Sequence, residues 1–350
     1  MVRFSDIKEI RDKTGPKETV PPKHEGVGEL RLSDPRFSEI SKKEDFMVEE
    51  KAPDMDSSDV VALYEKLSGS AKDVQEKVTN DQAIVPGPIL ADLHTVIDRN
   101  LIQPLFEHAM STPGDWTEVS THSVEVTLAS LMVGRGMGYD RKKLLELGLV
   151  AFLENVGMYR IPQGILEKPT KLESEEIERV REHPEASARI LSRLGERYEW
   201  LAEIALQIHE RADGSGYPRG LKGSEISEAA SIIGLVDTYV AMIRRRAYRD
   251  RILQPDAIRF ILKEAKIQFS TKTLKAFLNS ISLFPFNTYV KLNNKSIGRV
   301  ITTDRNHPLR PTVQVLYDGL GNKPEQKEIV RLSDNPLLYI VETVDDRDLK

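Results

Sequence analysis

The chain has no cysteine, so thiolate metal sites, thiol nucleophiles and disulfide frameworks are excluded together. Histidine, aspartate and glutamate remain as ligands for a metal ion or carriers of a proton. Glu118 and His122 stand four residues apart in a helical pattern, which sets a carboxylate and an imidazole on one face, where they share a cation or a proton. An exposed polar helix face gives the same spacing. His183 precedes Pro184 within a helical stretch, and His209 stands just ahead of the glycine-rich run Asp213-Gly214-Ser215-Gly216-Tyr217-Pro218. Taken singly, each is equally a satisfied core or surface histidine. Asp237 falls in the apolar stretch Ile232-Ile233-Gly234-Leu235-Val236-Asp237, where an unpaired carboxylate is costly to bury. It requires a partner: a metal ion, a histidine or a buried hydrogen-bond network. Arg244, Arg245, Arg246 and Arg249 fall within two helical turns, a spacing suited to bidentate grip on phosphate oxygens or to a solvated helix face.

Helices must position most of these residues. Ser57 and Ser58 offer caps, and Val60, Val61, Leu63, Tyr64 and Leu67 recur at helical spacing, followed by a second helical segment from Ile89 to His108. Helical periodicity continues over Val119 to Val133, Leu144 to Leu153, Ile177 to Leu194, Leu201 to His209, Ile232 to Met242, Ala257 to Ile267 and Leu274 to Ile281. After Pro285 the pattern turns period-two at Tyr289 to Leu292, Ile297 to Ile301, Val313 to Tyr317 and Ile329 to Leu332, which predicts a small antiparallel β appendage. Gly134, Gly136 and Gly138 form a G-x-G-x-G string, but it follows a helix rather than a strand and marks helix termination, not dinucleotide binding.

The expected architecture is therefore mainly α. A poorly ordered leader over 1–55, rich in Lys, Glu, Asp and Pro, precedes an N-terminal helical segment over 56–112, a helical bundle over 113–283 and a β-rich extension over 284–350. At 350 residues and 39% hydrophobic composition the chain has material for a sizeable core. Its formal charge of −5 supplies no global attraction for DNA or an anionic membrane. The longest apolar stretch, Leu144 to Leu153, is far short of the ~20 residues that span a bilayer, so no membrane insertion and a cytoplasmic location are expected.

Taken in order, several motifs resemble the HD-GYP family of bacterial signalling proteins. They are His122-Ser123-Val124, Ile161-Pro162, Ile165-Leu166-Glu167-Lys168-Pro169, His183-Pro184, His209-Glu210-Arg211, the run Asp213 to Gly223 and Ala247-Tyr248-Arg249. The resemblance implies a helical, metal-dependent phosphodiesterase fold acting on cyclic di-GMP, with two or three metal ions generating hydroxide for in-line attack. By residue matching it sets Glu118, His122, His183, His209 and Asp237 at metal-ligand positions and Arg246, Arg249 and Tyr217 at the nucleotide-binding site. Asp213, Gly214, Gly216, Tyr217 and Pro218 belong to the signature loop, and the segment after Phe284 is similar to a C-terminal extension found in the family.

The departures bear on activity. Aligning Ile161-Pro162 with the family's Ile-Pro places Glu154-Asn155 where the name-giving His-Asp pair belongs, Met158 where the family keeps a lysine, and Ile208 where it has the first of two adjacent histidines. A neutral amide is a poor bridge between two cations, a hydrocarbon donates no lone pair, and the lost ammonium weakens neutralisation of the scissile phosphate. The resemblance thus implies at most one divalent ion, such as iron or manganese, held through His122, Glu154 and Asp237; a metal-free protein is the alternative. The leading expectation is a degenerate signalling protein that binds cyclic di-GMP or docks a partner, such as a diguanylate cyclase or a second copy of itself, with weak or absent hydrolysis. An active phosphodiesterase with an altered centre and a purely structural scaffold are the competing expectations.

Overall fold

In this computed structural model the described residues are 57–111, 118–244, 252–264, 267–282, 284, 286–303, 307 and 310–344. The expected leader over 1–55 lies outside them. Three helices come first: α1 (Ser57–Thr79), α2 (Pro86–Asp98) and α3 (Ile102–Ser111). Leu63, Leu67, Ala71, Val74 and Val78 recur every three or four residues on α1 and bury one stripe. The pattern from Ile89 to His108 reads as one helix, whereas the chain forms two. Asn100 adopts φ 54° between them, a left-handed conformation that asparagine tolerates and that a continuous helix excludes.

The main bundle follows, with α4 (Val119–Gly136), α5 (Arg141–Leu153), α6 (Gln163–Leu166), α7 (Ser174–Arg181), α8 (His183–Leu191), α9 (Glu199–Ala205), α10 (Glu228–Ile243), α11 (Gln254–Glu264) and α12 (Thr271–Ser280). The periodic stretch from Ile177 to Leu194 is broken at Glu182: Pro184 lacks the amide hydrogen a continuing helix needs and sits in the first turn of a new one. Gly134 and Gly136 lie within the last turns of α4, and Gly138 follows at φ 76°, so the glycine string ends a helix as expected.

Helices α4 and α10 are buried almost all round and form the centre of the bundle. Burial on every side requires their polar groups to be satisfied internally. Ser123, Thr127 and Thr238 each donate to the carbonyl four residues earlier on their own helix. Glu125 and Arg244 pair across the two helices: Arg244 Nε donates to Glu125 Oε2 at 2.8 Å and the guanidinium also donates to the Ala109 carbonyl of α3 at 2.9 Å. Arg244 thus belongs to a buried ion pair at the end of α10, which corrects its expected place in a phosphate-gripping cluster on a helix face; Arg245, Arg246 and Arg249 lie outside the described residues.

The C-terminal sheet comprises β1 (Tyr289–Leu292), β2 (Ile297–Thr302), β3 (Thr312–Tyr317), β4 (Ile329–Arg331) and β5 (Ile340–Val344), all antiparallel in the order β4-β3-β2-β1-β5. Val290, Leu292, Val300 and Val313 alternate inward and join the same apolar core as the helices. The strand β5 was not anticipated, although Ile340-Val341-Glu342-Thr343-Val344 is rich in β-branched residues. No described helix is long and apolar enough to cross a membrane.

Removing one partner of the Arg244 pair leaves the other charge buried and uncompensated. Glu125→Ala is expected to cost about 3–5 kcal/mol in urea unfolding, and the double change Glu125→Leu with Arg244→Met to recover most of that loss. Equal losses in the single and double variants would contradict this account.

Candidate functional site

The two central helices bring together His122, one turn into α4, and Asp237, in the middle of α10. Their Nε2 and Oδ1 atoms are 2.7 Å apart, with Asp237 fully buried. The partner required by a carboxylate in an apolar stretch is thus a histidine. Burial raises the pKa of Asp237, and the hydrogen bond and charge of His122, with the charge of His209, act against it and favour the carboxylate. Glu154 enters the same region from the end of α5, and the Asn155 amide donates to its Oε1 atom. Burial, with the charge of Asp237 adding, pushes Glu154 up to about 8. The Asn155 Oδ1 atom is buried and meets no hydrogen-bond partner among the described residues.

A second pair lies on the other side. His183 Nδ1 is 2.7 Å from the Val180 carbonyl, and His183 Nε2 is 2.8 Å from His209 Nε2. Assigned from these hydrogen bonds, His183 carries its proton on Nδ1, so His209 donates from Nε2. Burial, with the neighbouring His183 adding, keeps His209 well below the usual histidine range. The Tyr217 ring stacks on His209 at 5.1 Å and 3° between planes, which ties the signature loop to the second pair.

Close backbone approaches allow this convergence. A Cβ on Gly157 would meet the His183 carbonyl at 2.2 Å, so only glycine lets the turn after Asn155 lie against α8, where the Ser187 hydroxyl accepts from the Gly157 amide. A Cβ on Gly234 would meet the Ile208 carbonyl at 2.2 Å; Gly234 sits one turn before Asp237 and brings α10 against the His209 segment. Glu210 holds the loop by accepting from the amides of Arg219 and Leu221 at 2.6 and 2.9 Å. Asp213 Oδ1 in turn caps Ser215.

The remaining expected positions fall elsewhere. Glu118 is at the start of α4 with its side chain partly exposed, 3.8 Å from Lys72 and 3.4 Å from the Ser120 hydroxyl. Met158 is buried in a small apolar cluster with Val119, Ile161 and Val180, and Ile208 is buried in the main core. Three residues were missed in the sequence. Tyr159 is lifted well above its ordinary pKa by burial, with the charges of Glu154 and Glu118 adding. Glu210 braces the loop, and the Arg181 guanidinium carbon lies 5.4 Å from the Tyr217 ring centre. The proximity of Arg181 to His183 in the chain was the signal that could have found it.

A family model for the HD domain matches residues 105–270, and one for a KOW domain associated with the HD domain matches residues 289–350. A solved HDG"Y"P protein of Bdellovibrio bacteriovorus superposes with a TM-score of 0.50 at 16% identity, covering 69% of this chain and 74% of that one. A cyclic di-GMP phosphodiesterase of Borreliella burgdorferi is 32% identical over 210 residues, 59% of this chain and 55% of the relative. This chain belongs to the HD-GYP family. Another cyclic di-GMP phosphodiesterase, of Thermotoga maritima, is 38% identical over 162 residues, 46% of this chain and 44% of the relative. The HD-GYP chain spans about half the length of these curated relatives.

HD-domain phosphodiesterases typically depend on divalent metal. Among the described residues no group of three or more histidine, aspartate or glutamate side chains is arranged to hold an ion. The chemistry of the donors nevertheless suits one: Glu154 and Asp237 are buried carboxylates that repel each other, and His122 adds an imidazole at one edge. A cation bound there would displace the proton that burial holds on Glu154.

Glu154 retains its proton in the fold up to about pH 8 but releases it near 4.5 when unfolded. The stability it contributes is complete below pH 4.5 and is lost as pH rises through 8. In chelator-treated protein, Glu154→Gln should gain on the wild type in melting temperature between pH 5 and 8.5; a pH-independent difference would refute the assignment.

Proposed function

We propose that this HD-GYP protein binds cyclic di-GMP and hydrolyses it weakly or not at all, its metal centre reduced to at most one divalent ion. The observation that carries this reading is the Glu154–Asn155 contact. At the position of the family's bridging aspartate stands an uncharged amide whose nitrogen is engaged with the neighbouring carboxylate, so it provides no anion to hold two cations close together. The buried Ile208 removes a second ligand position, and the buried Met158 removes an ammonium from the phosphate side.

Under this reading His122, Glu154 and Asp237 hold the single ion, which would polarise a phosphoryl oxygen or a bound water when present. His183 and His209 remain paired with each other at the second position, and Glu118 is the remaining outer carboxylate. Arg246 and Arg249 contact the nucleotide phosphates, with Tyr217 and the rest of the signature loop at the rim. The same loop and the N-terminal helices are the surfaces on which a partner such as a diguanylate cyclase would dock.

An active phosphodiesterase with an altered centre is the second reading, favoured by the retention of His122, His183, His209 and Asp237 in the core. Metal analysis of the purified protein and a turnover assay with cyclic di-GMP in manganese or ferrous iron separate the two. The expected result is no more than one ion per chain, micromolar-range binding by calorimetry and little or no linear product. Robust hydrolysis abolished by His122→Ala would establish the second reading instead. Arg246→Ala is expected to weaken nucleotide binding by about tenfold or more, the scale of one charge-assisted contact to phosphate.

A further inference from the structure

The C-terminal sheet carries a groove on the face turned away from the core. Val290, Val300 and Val313 point inward, so by alternation Tyr289 of β1, Arg299 of β2 and Gln314 of β3, direct neighbours across the ladders, lie side by side on the opposite face. The chain leaving β3 folds back beside this row. Asp318 Oδ1 accepts from the Leu320 and Asn322 amides at 2.9 and 2.8 Å, and the segment that follows brings Lys323 and Lys327 alongside the strand. The result is an open groove of about 470 Å³ whose lining includes Tyr289, Gln314, Tyr317, Lys323, Glu325 and Lys327. Small-ligand pockets run from roughly 300 to 1,000 Å³, so the volume suits one planar ring with its phosphate rather than a run of nucleotides.

The charges of this groove are unbalanced. Lys291 and Arg331, also on the outer face, have carboxylate partners in Glu342 and Asp334. Lys323 and Lys327 are exposed, and the carboxylate lining the groove with them is Glu325. Lys323 Nζ lies 5.9 Å from the centre of the Tyr317 ring, which directs its ammonium over an aromatic face. Arg299, flanked on its two sides by the lining residues Tyr289 and Gln314, adds a third cation. Its NH2 atom makes a long 3.4 Å contact with Gln314 Oε1, and its Nε is buried without a hydrogen-bond partner among the described residues. A guanidinium so short of acceptors is costly, and a phosphate or carboxylate matches its fork. The two tyrosine rings supply flat surfaces on which any base can stack. We propose that this groove is a second ligand site, for a mononucleotide, whose phosphate meets Lys323, Lys327 and Arg299 and whose base lies against the tyrosine rings. The site is independent of the cyclic di-GMP reading, since none of its residues belongs to the helical bundle.

The test is calorimetric titration of the full chain with guanosine and adenosine monophosphates, with inorganic phosphate, guanosine and a single-stranded uridine oligonucleotide as comparison probes. Both mononucleotides should bind, and phosphate or nucleoside alone should bind at least about tenfold more weakly, because each keeps half of the contacts. Arg299→Gln should weaken mononucleotide binding by about tenfold or more, with thermal melting run beside it to check the fold. Lys323→Gln combined with Lys327→Gln changes exposed side chains, so it should leave the melting temperature unaltered while weakening binding several-fold, an effect that shrinks at high salt. Tyr317→Leu should cost about fivefold or more, and Tyr317→Phe, which keeps the ring, should bind as the wild type does. Absence of mononucleotide binding overturns the inference, as does inorganic phosphate that binds equally well or an oligonucleotide that binds far more tightly. An unchanged Kd in both the double-lysine variant and Tyr317→Leu overturns it too. None of these results bears on the cyclic di-GMP reading, which the Arg246→Ala titration tests separately.

Discussion

A carboxylate with no exposure, in the middle of an otherwise apolar helix, is the constraint around which this fold is arranged. Asp237 is tolerated at the centre of the bundle because His122 reaches it from the facing helix, and that requirement fixes the register between α4 and α10. The Glu125–Arg244 pair supports the same alignment at another level of α10, and the close approach at Gly234 sets α10 against the His209 segment. The polar groups thus specify how the two most hydrophobic helices meet, which apolar packing alone does with less discrimination.

Around this axis the site divides into two hydrogen-bonded pairs. His122 with Asp237 keeps an anion in the core, whereas burial keeps His209, hydrogen-bonded to His183, well below the usual histidine range. Glu154 stands by the first pair as a carboxylate whose pKa is lifted by burial and by its charged neighbour. Under the proposed reading, the Asn155 amide stands in place of an anionic bridge and the protonatable Glu154 in place of a histidine, which changes both the number of donors and the distribution of charge.

Much of this arrangement was legible from the residues. The helical periods, the β appendage and the ligand-type histidines each leave local signals, and Asp237 stood out because its apolar context demands a partner. That the partner is His122 was not legible, since the two are 115 residues apart and no local spacing encodes the contact. Arg244 was misread for the same reason: four cations in a short stretch look alike until tertiary packing buries one of them against Glu125. The helix breaks at Asn100 and Glu182 were lost because apolar periodicity runs through them, while the determining events are one left-handed residue and one missing amide hydrogen. The direction of Glu118 toward Lys72 depends on α1, which lies far away in the chain.

The guanidinium of Arg244 touches a carboxylate of α4 and the last turn of α3 while itself ending α10. Three regions that the sequence presents as separate, namely the entry helices, the histidine-bearing helix and the aspartate-bearing helix, therefore share one anchoring point. The entry helices and the bundle thus form one mechanical frame rather than two tethered parts.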